Sequence, residues 1–276
     1  MTQTHIAPLN SRSIIAVTGP ETESFLQGIT SQNIEGMENG EIRFSTLLTP
    51  QGKVLFDFFV IKIDDGFLLD CFAPASEALV KRLKLYKLRA NVDIALRDDV
   101  SVYASWGDNC DAPSPDGTTK DPRLAALGWR SIQKPSAITA TEEAYHAHRM
   151  SIGVPQFGDD FSGEEVFLLD VNYDVLNGVD YKKGCFVGQE VTSRMKRKGE
   201  IRKRTLKITT PIDDLTHGAD ILAGGKTLGT ILAAANRNAL AIIRIDRFEK
   251  TIAQGAAPSV NDQEVTITVP EFLHSA

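Results

Sequence analysis

Apolar positions along the chain change period several times, and each change marks an element. Ile14 to Val17 is an uninterrupted apolar run and predicts a strand. A helix-start signal follows, with Thr18 as cap, Pro20 near the first turn and the acids Glu21 and Glu23. Phe25 and Leu26 would face the core, and Gly28 would end this helix. In "RFSTLLTPQGKVLFDFFVIKIDDGFLLDCF", β-branched and aromatic runs flank Pro50-Gln51-Gly52, and a third follows Asp64-Asp65-Gly66. This predicts a three-stranded meander. In "ASEALVKRLKLYKL", Leu79, Leu83 and Tyr86 stand at i, i+4 and i+7, the apolar stripe of a surface helix. Tyr86 and Arg89 then read as packing and capping residues. "NVDIAL" and "VSVYASW" predict two more strands.

Residues 108–122, "DNCDAPSPDGTTKDP", are dense in turn formers and predict an exposed loop or a junction between sub-modules. A helix is expected within "TEEAYHAHRMS", led by Thr141 and two glutamates. From Gly153 to Gly184 the chain is rich in Gly and Asp with little periodicity, which predicts a long ordered loop lining a site. Short strands then recur: "RTLKITT", "KTLGTILAAA", "ALAIIRI" and "QEVTITV". Ala223-Gly224-Gly225 and Arg237-Asn238 separate them. The expected organisation is a core over residues 1–200 and a small all-β module over 201–276.

Composition narrows the class. The 276 residues are 42% apolar and 24% charged, enough to bury a sizeable core. A formal net charge of −6 gives no general attraction to nucleic acid or anionic membrane, so neither is expected as a direct partner. No apolar run approaches the roughly 18 residues of a spanning helix, and "MTQTHIAPLN" lacks the pattern of a signal peptide. Cys71, Cys110 and Cys185 have no CxxC spacing, which argues against a disulfide framework or a zinc site. His146 and His148 are two apart, a spacing that suits no helical metal face. No metal site and a cytoplasmic location are expected.

The chemistry concentrates in Asp180–Arg194, "DYKKGCFVGQEVTSR". A helix starting at about Gly188 would present unpaired N–H groups, and Lys182 and Lys183 stand beside Cys185. Both effects stabilise a thiolate; a buried, inert cysteine is the alternative. Gly184 and Gly188 would let the backbone turn and expose the sulfur, and Glu190 and Arg194 are spaced to pair at i+4. The run "MKRKGEIRKR" is either a solvated turn or an anion patch. Asp57 interrupts a strand that otherwise reads as core, so its carboxylate needs a ligand or a structural hydrogen bond.

"KKGCFVGQEVTSR" resembles the signature of the YgfZ family, folate-binding relatives of the glycine-cleavage T-protein. Lys183, Gly184, Cys185, Phe186, Gly188, Gln189 and Glu190 all fit it. "FLQGITSQNI", "LLTPQGKVLFDFFV" and "RMSIGVPQFGDD" resemble further segments of that family. The resemblance implies an α+β, T-protein-like core of two interleaved α/β sub-modules around a central cavity, followed by a small C-terminal β-barrel. It also implies a tetrahydrofolate site and a role with iron–sulfur enzymes or cluster-assembly proteins as partners. On that basis Cys185 and Lys183 are the expected reactive pair. Asp57, Asn33, Arg149, Asn172, Gln189, Glu190 and Arg194 are the expected folate-binding residues.

Two function classes follow. One is a tetrahydrofolate-binding accessory factor in assembly, maturation or repair of iron–sulfur proteins; the other is a folate-dependent one-carbon transferase or demethylase. The T-protein carries two successive acids where this chain has Phe56-Asp57, and it lacks the cysteine. Both departures favour the first class.

Overall fold

A computed structural model describes residues 4–107, 117–197, 201–211, 213 and 215–274. Strands β1 (Thr4–Pro8) and β2 (Arg12–Thr18) are neighbours in sequence but enter different sheets. Helix α1 (Thr22–Ile29) follows. The predicted meander forms as β3 (Ile42–Leu48), β4 (Val54–Ile63) and β5 (Gly66–Phe72), with antiparallel pairing throughout. After α2 (Ser76–Lys87), β6 (Asp93–Arg97) pairs with the free edge of β2 and completes a five-stranded sheet of order β3-β4-β5-β2-β6. Val54 to Val60 is buried without a break. Both faces of β4 are therefore covered, and that is why its apolar run does not alternate.

β7 (Tyr103–Gly107), β8 (Thr119–Lys120) and β9 (Trp129–Ser131) form a second sheet with β1, in the order β1-β7-β9-β8. β1 thus joins a sheet whose other strands lie far along the chain, and this interleaves the two α/β halves. α3 (Glu142–Ile152) starts as expected, with the Thr141 hydroxyl accepting from the Ala144 N–H at 3.4 Å, and ends at Gly153 in the left-handed region.

Between α3 and α4 (Gln189–Arg197) no helix or strand intervenes. The segment is nevertheless core: Val154, Phe157, Phe161, Leu168, Val171 and Tyr173 are all buried in the main apolar cluster. Its backbone is satisfied against β4, with Val54 N–H donating to the Val166 carbonyl and Glu164 N–H to that of Val54. The lack of periodicity reflects burial of an irregular chain, not exposure.

The C-terminal sheet contains β10 (Lys203–Thr209), β11 (Asp220–Ala223), β12 (Lys226–Ala235), β13 (Asn238–Arg244), β14 (Ser259–Val260), β15 (Gln263–Glu264) and β16 (Thr266–Thr268). α5 (Ile245–Ala253) is inserted after β13. The strand order is β15-β14-β11-β12-β13-β10-β16. The sheet has its own core of residues such as Leu206, Ile221, Leu228 and Ile243, while Leu232 and Leu240 pack into the main cluster.

Three expectations shift. α1 starts at Thr22 and runs through Gly28 to Ile29, because the Thr30 hydroxyl takes the Leu26 carbonyl and closes the helix two residues later. β1, β8, β9, β11, β14 and α5 do not follow from the sequence pattern: the strands span two to five residues, too few to show an alternation, and α5 interrupts a module expected to be all-β. The proposed junction at 108–122 and Cys110 fall largely outside the described residues.

Candidate functional site

The loop before α4 hangs between two buried side chains. Lys183 and Phe186 are buried, whereas Gly184 and Cys185 between them are exposed. Lys183 Nζ donates to the carbonyls of Gln27 (2.8 Å), Thr30 (2.6 Å) and Gln32 (2.9 Å), and lies 5.4 Å from the Phe186 ring centre. An ammonium has three donors, so all are consumed by the turn after α1. Lys183 therefore acts on Cys185 by pinning the loop rather than by a hydrogen bond to the sulfur. Burial pushes its ammonium down to about 8, against the pull of Asp180.

Gly188 has φ +82°, and a Cβ there would stand 2.7 Å from the Thr49 carbonyl oxygen. The glycine lets the loop press onto the β3–β4 turn. Gly184 has an ordinary φ and open space around it, so the expectation that both glycines shape the turn holds for Gly188 alone. Gln189 Nε2 closes the loop by donating to the Gly184 carbonyl at 3.4 Å. Glu190 and Arg194 are exposed and, among the described residues, form no ion pair with each other. The result is an exposed thiol just upstream of a helix N-terminus, on a loop fixed at both ends.

A second constellation was not read from the sequence. Arg12, Asp57, Asp70, Asp121, Arg123 and Arg130 are all buried, three cations against three anions. Arg12 Nε donates to Asp70 at 2.7 Å, and Arg130 takes the other Asp70 oxygen at 2.5 Å. Arg123 is bidentate on Asp121. All three guanidinium groups lie over the Phe59 ring, Arg130 at 3.9 Å. Burial alone would raise the Asp70 and Asp121 carboxyls, but the facing arginines hold both below the usual range. The signal in the sequence was charge in apolar strand runs: Asp57 and Asp70, with Arg12 ahead of its run.

Asp57 accepts from the Tyr173 hydroxyl at 2.5 Å and from the Phe157 N–H at 3.2 Å, both through Oδ2. Among the described residues its Oδ1 has no hydrogen-bond partner, nor has Arg12 Nη1, which stands 4.0 Å away. Burial raises the Asp57 carboxyl, with Arg12 and Tyr173 opposing. Two complementary polar atoms thus face each other across a gap too long for a bond.

The network opens on one side into a cavity of about 380 Å³, in the size range of small-molecule sites. Asp70 and Arg130 line it together with apolar Ile42, Ile61, Val102 and Ile132, and Lys62 and Gln133 also contribute. Neither Cys185 nor any of the seven expected folate ligands is among its lining residues. Arg149 is buried in a two-pronged pair with Asp160 that ties α3 to the following turn. Asn172 donates to the Thr205 carbonyl and holds the barrel. Asn33 accepts from Gln27 Nε2, within the turn that clasps Lys183. Gln189, Glu190 and Arg194 line a separate surface hollow on α4. The structure therefore brings Asn33, Lys183 and Gln189 around the cysteine loop. Asp57 lies within the buried network, and Arg149 and Asn172 serve packing. The basic run after α4 is partly committed as well: Arg204 is bidentate on Asp174, with Lys196 3.5 Å from the same carboxylate.

Residues 202–275 match the model of the CAF17 C-terminal β-barrel domain. The chain is 34% identical over 231 residues to the mitochondrial iron–sulfur cluster assembly factor IBA57 homolog of Neurospora crassa, covering 73% of this chain and 52% of that protein. It is 29% identical over 276 residues to human mitochondrial IBA57, covering 87% and 78%. It spans about half the length of the Neurospora crassa and Pyricularia oryzae relatives. Among solved structures, aminomethyltransferase T of the glycine cleavage system from Bartonella henselae superposes with a TM-score of 0.73. That match has 14% identity and covers 98% of this chain and 86% of that one, a likeness of fold. The expected cytoplasmic location is overturned by these relatives, which are mitochondrial factors. Scattered cysteines speak for a reducing environment and do not single out one compartment. The chain is thus similar in sequence to the IBA57 iron–sulfur cluster assembly factors, matches the CAF17 β-barrel domain over its C-terminal residues, and shares its fold with aminomethyltransferase T.

Proposed function

We propose that the chain is a folate-binding accessory factor in the assembly, maturation or repair of iron–sulfur proteins, acting through the Cys185 thiol. The observation that carries this reading is the exposed sulfur on a loop pinned by Lys183 and Phe186 ahead of α4. A thiol needed only for packing would be buried, as Cys71 is, where burial pushes its pKa up to about 12. The relatives that are iron–sulfur cluster assembly factors support the same role and cluster-assembly proteins as partners.

A reduced folate fits the residues present. The apolar walls, with Asp70 and Arg130, would hold the ring, and Lys62 would offer a cation to the anionic tail. Of the residues expected at the ligand, Asp57 keeps a part, linked to the cavity through Arg12 and Asp70. The transferase reading is weaker. Phe56, where the T-protein has an acid, packs edge-on against Phe157 at 5.8 Å, and the Asp57 Oδ2 is committed to Tyr173 and Phe157.

The test compares iron–sulfur enzyme activities in cells carrying the parent protein or Cys185→Ala. The variant is expected to lose the function while unfolding at the parent midpoint, because truncating an exposed thiol opens no core cavity. Calorimetry with tetrahydrofolate tests the ligand: heat and a raised melting temperature are expected. Full activity of the variant would move the function away from the cysteine loop.

A further inference from the structure

The last turns of α2 concentrate charge of the wrong sign for this chain. Lys81, Arg82, Lys84, Lys87 and Arg89 fall within nine residues that contain no acid, in a chain of net charge −6. None of the five makes an ion pair among the described residues. Leu88 is 85% exposed and Leu85 64%, the two most exposed large apolar side chains described. Lys81, Lys84, Leu85 and Leu88 follow the i, i+3, i+4, i+7 rule and share one outward stripe, opposite the buried Leu79 and Leu83.

Leu88 adds an independent sign. It caps α2 with φ +49° and ψ −105°, where a side chain is strained and glycine is not. Among the described residues its side chain belongs to none of the apolar clusters. A strained leucine held in water, between cations without partners, is stability given up for a contact elsewhere.

We propose that this face of α2 docks an acidic protein surface, with Leu85 and Leu88 entering an apolar depression rimmed by carboxylates. The partner's identity, a client or an assembly protein, rests on the assembly-factor reading; the surface chemistry does not. The two leucines cover only the last turn, whereas a helix lying in a lipid interface needs an apolar stripe along its length. RNA is disfavoured because the patch lacks an exposed aromatic for base stacking; Tyr86 packs against the core.

The test uses the full chain and a fluorescent helical peptide carrying glutamates around a pair of leucines. Its serine-for-leucine version, phosphatidylserine-containing vesicles and oligo-uridine serve as competing probes. The leucine–glutamate peptide is expected to bind the parent and to weaken with added salt. Lys81→Glu/Lys84→Glu and Leu85→Ser/Leu88→Ser are each expected to weaken it about tenfold or more. Leu88→Gly should lower peptide binding while raising the unfolding midpoint, a pairing that a merely structural leucine would not give. Three results would each overturn the proposal: no peptide binding, equal binding by parent and variants, or tighter binding of vesicles or oligo-uridine than of the peptide. Cys185→Ala is expected to leave peptide binding unchanged, so failure of the cysteine reading and failure of this one are read separately.

Discussion

Lys183 offers three donors to three backbone carbonyls, and this arithmetic decides its role. Replacing it by Met keeps the buried stem and leaves the carbonyls of Gln27, Thr30 and Gln32 short of a partner. We expect a loss of about 2 kcal/mol in denaturant unfolding, together with faster alkylation of Cys185 as the loop loosens. The ammonium also has a pH signature. Its folded value is depressed from 10.5 to about 8, so the unfolded chain binds the extra proton between those values. Stability therefore rises with pH through that window, and the contribution is lost as pH falls through about 8. Lys183→Met should flatten this rise relative to the parent. The cysteine motif was legible because its residues are contiguous. The partners of Lys183 were not, because they belong to a turn far away in sequence.

At the scale of elements, two contacts set where helices sit. α3 is docked on the turn between β1 and β2 by Glu142, which accepts from the Asn10 and Ser11 N–H groups and the Ser11 hydroxyl. Burial would raise this carboxyl, but the hydrogen bonds from His146 and Ser11 outweigh it and bring it from 4.5 to about 2. Its stabilising effect is present above 4.5 and is lost as pH falls towards 2. Acid unfolding of Glu142→Gln should accordingly be less steep over that range than that of the parent. α4 depends instead on Gly188. Gly188→Ala places a Cβ against the Thr49 carbonyl at positive φ, and about 2–3 kcal/mol of destabilisation is expected. Thermal unfolding measures it, and a parent-like midpoint would show that the β3–β4 turn can yield. The N-cap of α3, the meander and the stripe of α2 were all written locally, in caps, turn residues and spacing.

Across the whole molecule, the buried ionic network joins the two sheets of the core. Asp70 lies on the five-stranded sheet and Arg130 on the four-stranded one, and they meet at 2.5 Å. Arg130→Met would leave Asp70 with Arg12 alone. Removing one partner of a buried pair costs about 3–5 kcal/mol, and urea unfolding should register it. Loss of tetrahydrofolate-induced stabilisation should accompany it if the ligand meets this pair. None of this network was legible as a unit. Arg12, Asp57 and Asp70 stand on separate strands, and Asp121, Arg123 and Arg130 lie around the edge of the second sheet.

The sequence by itself determined whatever depends on near neighbours: the antiparallel meander, the capped start of α3, the apolar face of α2, most strands of the C-terminal sheet, and a cysteine set before a helix start. These follow from hydrogen-bond periods and turn chemistry that span a few residues. Only the tertiary structure decided that β1 leaves its neighbour for a distant sheet and that residues 153–184 are core. It alone turned the Lys183 ammonium onto three backbone carbonyls rather than onto the neighbouring thiol, and it alone gathered three arginines over Phe59. Those outcomes rest on which groups can satisfy one another once water is excluded. Desolvation is settled between segments that no local pattern connects.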